Sequence, residues 1–216
     1  MEKRNVKNFI LAAVFVAAFV LWTVAVKLVD VQAIGPMESS VGFAELNKMF
    51  HDLTGVHMWL YTLTDWLGFV PIAFVLGFAL LGLVQLIKRK NPLKVDYSIL
   101  VLGGFYVAVM AAYGVFEVIP VNYRPVLIRG YLEASYPSST TMLVLCVMPT
   151  AMMQLGERIK NRTLKRCVRS GIAAFTVFMV LGRLVSVVHW LTDIIGGVLS
   201  SGGLVMMYRA VRSLRK

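Results

Sequence analysis

Long apolar runs separated by short polar or basic stretches dominate this chain, and their lengths match the hydrocarbon core of a bilayer. A membrane-spanning helix needs roughly 20 mostly apolar residues, and the sequence supplies such runs at about Phe9–Val29, Trp66–Ile87, Tyr97–Ile119 and Ser139–Leu155. The stretch from Gly171 to Tyr208 contains 38 residues with only Arg183, His189 and Asp193 charged or titratable, too long for one span. Basic clusters at both of its ends require a hairpin of two spans with its turn around Ser186–Asp193. The pattern therefore predicts an all-α integral membrane protein of six transmembrane helices, folded as a single domain over 1–216 without internal repeats.

Charge placement gives the expected orientation. Seventeen of the 22 Lys and Arg residues fall in four clusters: Lys3, Arg4 and Lys7; Lys88, Arg89, Lys90 and Lys94; Arg158, Lys160, Arg162, Lys165, Arg166 and Arg169; and Arg209, Arg212, Arg215 and Lys216. Short basic segments stay on the cytoplasmic side, so both termini are expected there. The outer face then consists of Asp30–His57, Pro120–Ser138 and the Ser186–Asp193 turn. Within the first of these, Phe43, Leu46, Phe50 and Leu53 recur at helical spacing with Glu45, Lys48 and Asp52 between them. That pattern predicts a short helix in the outer interface. The Phe9–Val29 run is long for a signal-peptide core and no small-residue cleavage site follows it, so it is expected to remain as the first span.

Composition agrees: 58% hydrophobic and 15% charged residues, with a mean hydropathy of +0.75, exclude a soluble domain of this size. The net charge of +11 flanks apolar spans, so membrane lipid rather than nucleic acid is its expected partner. The two cysteines, Cys146 in a span and Cys167 in a basic loop, give no disulfide framework. Gly196, Gly197, Ser200, Ser201 and Gly203 give the last helix a small-residue face suited to close helix packing, and Gly77 and Gly82 suggest the same in the second span.

Ionisable side chains at membrane depth are functional candidates. Arg124, in Asn122-Tyr123-Arg124-Pro125, and Arg183, His189 and Asp193, spaced Arg-x5-His-x3-Asp, all map to the outer ends of helices. Between them Tyr136-Pro137-Ser138-Ser139-Thr140-Thr141 opens the fourth span, and a helix start offers free N–H groups and a positive dipole end. Taken singly, either Arg reads as a snorkelling anchor, the His as structural and the Asp as a helix-start charge. Taken together they describe a phosphate pocket with a nucleophile. Arg forks fit phosphate oxygens, and an imidazole oriented by a carboxylate can attack phosphorus.

The order Arg-Pro, Pro-Ser, Arg-x5-His-x3-Asp over six spans resembles the type 2 phosphatidic acid phosphatase superfamily, metal-independent lipid phosphatases whose motifs read Lys-x6-Arg-Pro, Pro-Ser-Gly-His and Ser-Arg-x5-His-x3-Asp. The motif resemblance covers about 116–203. It implies phosphate binding by Arg124, Arg183, Ser138, Ser139 and Thr140, a phosphohistidine at His189 oriented by Asp193, no metal and no cofactor, and a site facing outside. The chain departs from the motifs at Glu117 (Lys in the family), Ser139 (Gly), Thr140 (His, the family's general acid) and Gly182 (Ser). Glu133 and Glu117 are candidates for a replacement acid, and Arg129 for the missing Lys. Without the acid, a diphosphate suits the site better than a monoester, and a prenyl diphosphate is the favoured substrate. The contrasting expectation is a catalytically impaired relative that binds, senses or moves an anionic phospholipid.

Overall fold

A computed structural model describes residues 2–215, with side chains from Asn5 onward; of the basic residues above, the Lys3 and Arg4 side chains and Lys216 lie outside the described residues. Among the described residues eight α-helices run in the order α1 (Glu2–Leu28), α2 (Ala44–Thr54), α3 (Met58–Leu67), α4 (Phe69–Arg89), α5 (Tyr97–Val118), α6 (Ser139–Arg158), α7 (Arg162–Ser186) and α8 (Leu191–Arg212). Six stretches are long and apolar enough to cross a membrane, the second combining α3 and α4 into Met58–Arg89. The protein is a multi-pass membrane protein with the number of spans that the apolar runs predict.

The second span begins eight residues earlier than its apolar run suggests. It is interrupted at Gly68, whose N–H donates back to the Thr64 and Asp65 carbonyls at 3.1 and 3.0 Å. Pro71 explains the break: its ring lacks an N–H and crowds the carbonyl of Leu67 four residues back. α3 is thereby freed to lean against α7. The contact is close: a Cβ built at Gly182 would lie 2.7 Å from Thr64 Cγ2. The family's Ser at this position would overpack against Thr64.

Lipid tails are as apolar as Leu, so small residues rather than apolar burial bring spans together. α8 obeys this rule. Gly202 and Gly203 receive Phe15 and Val16 of α1, Gly197 meets Thr141 of α6 and the Ser138 carbonyl before it, and Gly196 meets the Tyr136 ring. Gly82 lies 3.1 Å by its virtual Cβ from Ile99 of α5, whereas Gly77 faces open space and is not a packing glycine. The core between α4, α5, α6 and α8 holds Phe78, Leu102, Phe105, Met142, Cys146 and Tyr208. Cys146 is buried and Cys167 exposed.

Hydrogen bonds gather the candidate segments at one end of the bundle. The His57 N–H donates to the Ser186 carbonyl, Ser138 N–H to Asp193 and Phe43 N–H to Val29, while Trp22 Nε1 donates to Thr192 and Trp190 Nε1 to Tyr123. The basic segments meet at the opposite end, where Tyr97 donates to the Val211 carbonyl and Gln154 to that of Ser98. α2 occupies the place of the expected short helix. Its inward face is polar as well as apolar, because buried Asn47 bonds Gly42 O at 2.8 Å and Thr192 Oγ1 at 3.0 Å.

Candidate active site

Three segments build the site. Residues 122–135 form a short antiparallel hairpin in which Arg124 N–H donates to Glu133 O and Ser135 N–H to Asn122 O, at 3.0 and 2.9 Å. Its tip carries Arg129 at φ 52° and Gly130 at φ 83°. Arg129 is exposed there and does not line the cavity beside Arg124. The base of the hairpin leads through Pro137 into Ser138, the N-cap of α6. The third segment is the turn between α7 and α8, in which Val187 adopts φ 52° and His189 is buried.

His189 has an unambiguous tautomer. Arg124 Nη1 lies 3.2 Å from His189 Nε2, and a guanidinium can only donate, so Nε2 is the acceptor. Nδ1 faces the Ser135 carbonyl at 3.1 Å, which can only accept, so Nδ1 carries the proton. Asp193 Oδ2 stands farther off, 3.8 Å from Nδ1. That carboxylate is held by the Trp190 N–H at 3.0 Å and by Asn122 Nδ2 at 3.2 Å, so it closes the start of α8 and stands where it would pair with the ring only once the imidazole carries a charge. The ring N–H itself is oriented by a backbone carbonyl, a device without a side-chain signature. Burial first, and the Arg124 cation second, press the His189 pKa down to about 4, leaving a neutral imidazole with its Nε2 lone pair directed at Arg124.

Both arginines carry unused donors. Arg183, 1% exposed, bonds Asp65 Oδ1 through Nη2 at 2.9 Å, while its Nε and Nη1 are buried without a hydrogen-bond partner. Arg124 Nε is 3.0 Å from Glu133 Oε2 but outside hydrogen-bonding alignment, and Ser135 Oγ is likewise buried and unpartnered. Tyr61 joins the pair: its ring centroid is 4.8 Å from the Arg183 guanidinium carbon and 5.8 Å from that of Arg124. Buried donors left unpaired cost free energy, and two guanidinium forks share one aromatic wall here. Donors in this arrangement have the geometry to bind a tetrahedral oxyanion.

Beside Arg124 lies a cavity of about 260 Å³, lined also by Glu117, Glu133, Ser135 and Ser139. The structure thus brings Arg124, Arg183, His189 and Asp193 into one chain of contacts. Ser138 joins it through its bond to the Asp193 carbonyl, and Ser139 through the shared cavity. Ser138 Oγ turns inward to Thr141 Oγ1 at 3.0 Å. Thr140 is half-buried in the first turn of α6 and does not line the cavity. Tyr61, Asp65, Asn122 and Ser135 belong to the site without having been candidates. Asp65 had a legible signal, a carboxylate inside a run that is apolar from Met58 onward.

Residues 117–216 match the PAP2 superfamily, which bears out the resemblance carried by the motifs. No curated protein matches the chain. Among solved structures it is similar to the first transmembrane PAP2 type phosphatidylglycerolphosphate phosphatase from Bacillus subtilis, with a TM-score of 0.63 and 17% identity over 95% of this chain and 98% of that one. The six-span arrangement therefore shares the fold of that structure.

Proposed function

We propose that this chain, whose residues 117–216 belong to the PAP2 superfamily, is a metal-independent membrane lipid phosphatase acting at the extracytoplasmic face, with a prenyl diphosphate as favoured substrate. The observation that carries the reading is the neutral Nε2 of His189 facing Arg124, beside an Arg183 whose Nε and Nη1 are unpartnered. A terminal phosphate would take hydrogen bonds from both guanidinium groups and from the first N–H groups of α6.

In this reading the His189 Nε2 lone pair attacks the terminal phosphorus, and the bond from phosphorus to the bridging oxygen breaks. That oxygen leaves with the electron pair as the lipid monophosphate. The ring keeps its Nδ1 proton on the Ser135 carbonyl, and the Asp193 carboxylate, 3.8 Å away, steadies the positive charge on the phosphorylated imidazole. Water then attacks phosphorus, releasing inorganic phosphate and neutral His189.

Thr140 in place of a His sets the leaving-group preference. A monoester expels an alkoxide, comparable in basicity to hydroxide, whose parent water has a pKa of about 15.7. A diphosphate expels a phosphate whose second pKa is about 6. General acid help is worth roughly 10²–10⁴-fold, a loss that falls almost wholly on the alkoxide. The substitutions at Glu117 and Thr140 also favour a second reading, an anionic-lipid binding protein. One experiment separates them: phosphate release from a panel of lipid monophosphates and diphosphates by the wild type and by His189→Gln. Release from diphosphates that vanishes in the variant supports the phosphatase, whereas binding without release from any lipid overturns it.

A further inference from the structure

The end of the bundle opposite His189 holds a second set of unused cationic donors. Arg162, Lys165, Arg166 and Arg169 recur at i, i+3, i+4 and i+7 on one face of α7 and line a cavity of about 520 Å³ with Met152 and Ala173. Lys165, Arg169 and Met152 also belong to an adjoining cavity of about 320 Å³, walled by Met153 and by Arg212 of α8. The two form one groove across α6, α7 and α8. Among the described residues no carboxylate pairs with the four α7 cations, and Arg162/Arg166 and Lys165/Arg169 are like charges four apart, which repel.

Arg212 is the independent observation. It is 8% exposed, its guanidinium lies 5.9 Å from the Tyr208 ring centroid, and its Nε and Nη2 are buried without a hydrogen-bond partner. Glu157 forms an ion pair with Nη2 outside hydrogen-bonding alignment. Arginine stays charged wherever it is placed; Glu157 supplies a counter-charge at Nη2, and the buried Nε is left without a partner. The groove lies where the first turns of α7 and the last turns of α8 leave the apolar spans, and its floor is methionine, which adapts to irregular apolar ligands. Basic pockets between transmembrane helices at this level suit anionic lipid head groups.

We infer that this groove binds the phosphodiester head group of an anionic phospholipid in the leaflet opposite His189, with Arg212 as the buried anchor and the α7 cations as its electrostatic rim. The site is independent of the phosphatase reading. The test measures lipid retention by native mass spectrometry on the purified full chain titrated with phosphatidylglycerol, phosphatidylcholine or glycerol 1-phosphate. Phosphatidylglycerol should be retained and the other two should not. At about fivefold in affinity per surface charge, Arg166→Gln with Arg169→Gln should weaken retention roughly 30-fold. Arg212→Gln should abolish it, and Lys48→Gln, at an exposed cation of α2, should leave it unchanged. Arg166 and Arg169 are exposed, so their double variant keeps the test valid if Arg212→Gln fails to fold. Equal retention by wild type and double variant, retention of phosphatidylcholine, or equal binding of free glycerol phosphate would each overturn the proposal.

Discussion

Restoring the family's serine at position 182 should damage this protein, and the damage can be worked out from one contact. A Cβ there would meet Thr64 Cγ2 at 2.7 Å and Leu60 Cδ1 at 3.7 Å, against about 3.5–4.0 Å for carbons at rest. The methyl cannot swing away. Thr64 is fully buried, and its Oγ1 is tied to the Leu60 and Tyr61 carbonyls at 2.8 and 3.0 Å. Gly182→Ser must therefore push α3 about 1 Å off α7, an overpacking that costs about 1–3 kcal/mol. The same movement takes Tyr61 and Asp65 away from Arg183, and a misplacement of that size can cost about 10²-fold in rate. Thr64→Ser removes the offending methyl and keeps the hydroxyl, costing about 0.5–1.5 kcal/mol alone, as for one buried methyl group. Combined, the two changes should recover about 1–2 kcal/mol relative to their sum, the coupling expected of residues in contact. Reversible unfolding in mixed micelles gives the cycle, and phosphate release gives the activity. A Gly182→Ser protein as stable as the wild type, or strictly additive effects, would refute the packing argument.

The depressed His189 pKa sets a pH limb: neutral imidazole persists down to about pH 4, so kcat/KM corrected for substrate ionisation should stay flat to about pH 5 and fall below about 4. The stability share has the same sign, since an unfolded imidazole takes up its proton near 6.5. That share should be complete above pH 6.5 and decline as the pH falls toward about 4, which chemical denaturation of wild type and His189→Gln would resolve. Ser139→Gly with Thr140→His should raise monoester hydrolysis by about 10²-fold or more and diphosphate hydrolysis far less; equal gains would mean that leaving-group basicity does not limit the wild type. Cysteines at Lys90 or Arg162 should resist an impermeant thiol reagent on intact cells while one at Glu38 reacts, and outside labelling at Arg162 would invert the topology.

Much of this architecture is legible in the sequence because a bilayer enforces it. Apolar runs near 20 residues and the basic clusters between them locate all six spans, and the Arg-x5-His-x3-Asp spacing with Arg124 picks out side chains that do meet at one end. The misses have physical causes. Asp65 falls between the outer segment ending at His57 and the span expected from Trp66, assigned to neither, so the partner of Arg183 stayed hidden. Only the Gly68–Pro71 break and the close approach permitted by Gly182 turn α3 into a wall of the site. The 122–135 hairpin has no alternating pattern, since its pairing serves to place Arg124 and Glu133 rather than to bury a face. The His189 orienter is the Ser135 backbone carbonyl, and every residue has one of those.

The central claim is that His189 takes the phosphoryl group. Wild-type protein mixed with a terminally labelled prenyl diphosphate and quenched within milliseconds should yield an acid-labile, base-stable phosphoenzyme. It should be absent in His189→Ala and form far more slowly in Asp193→Asn, which loses the charge that steadies the phosphorylated ring. Turnover in His189→Ala equal to that of the wild type, with no trapped phosphoenzyme in either, would contradict the account.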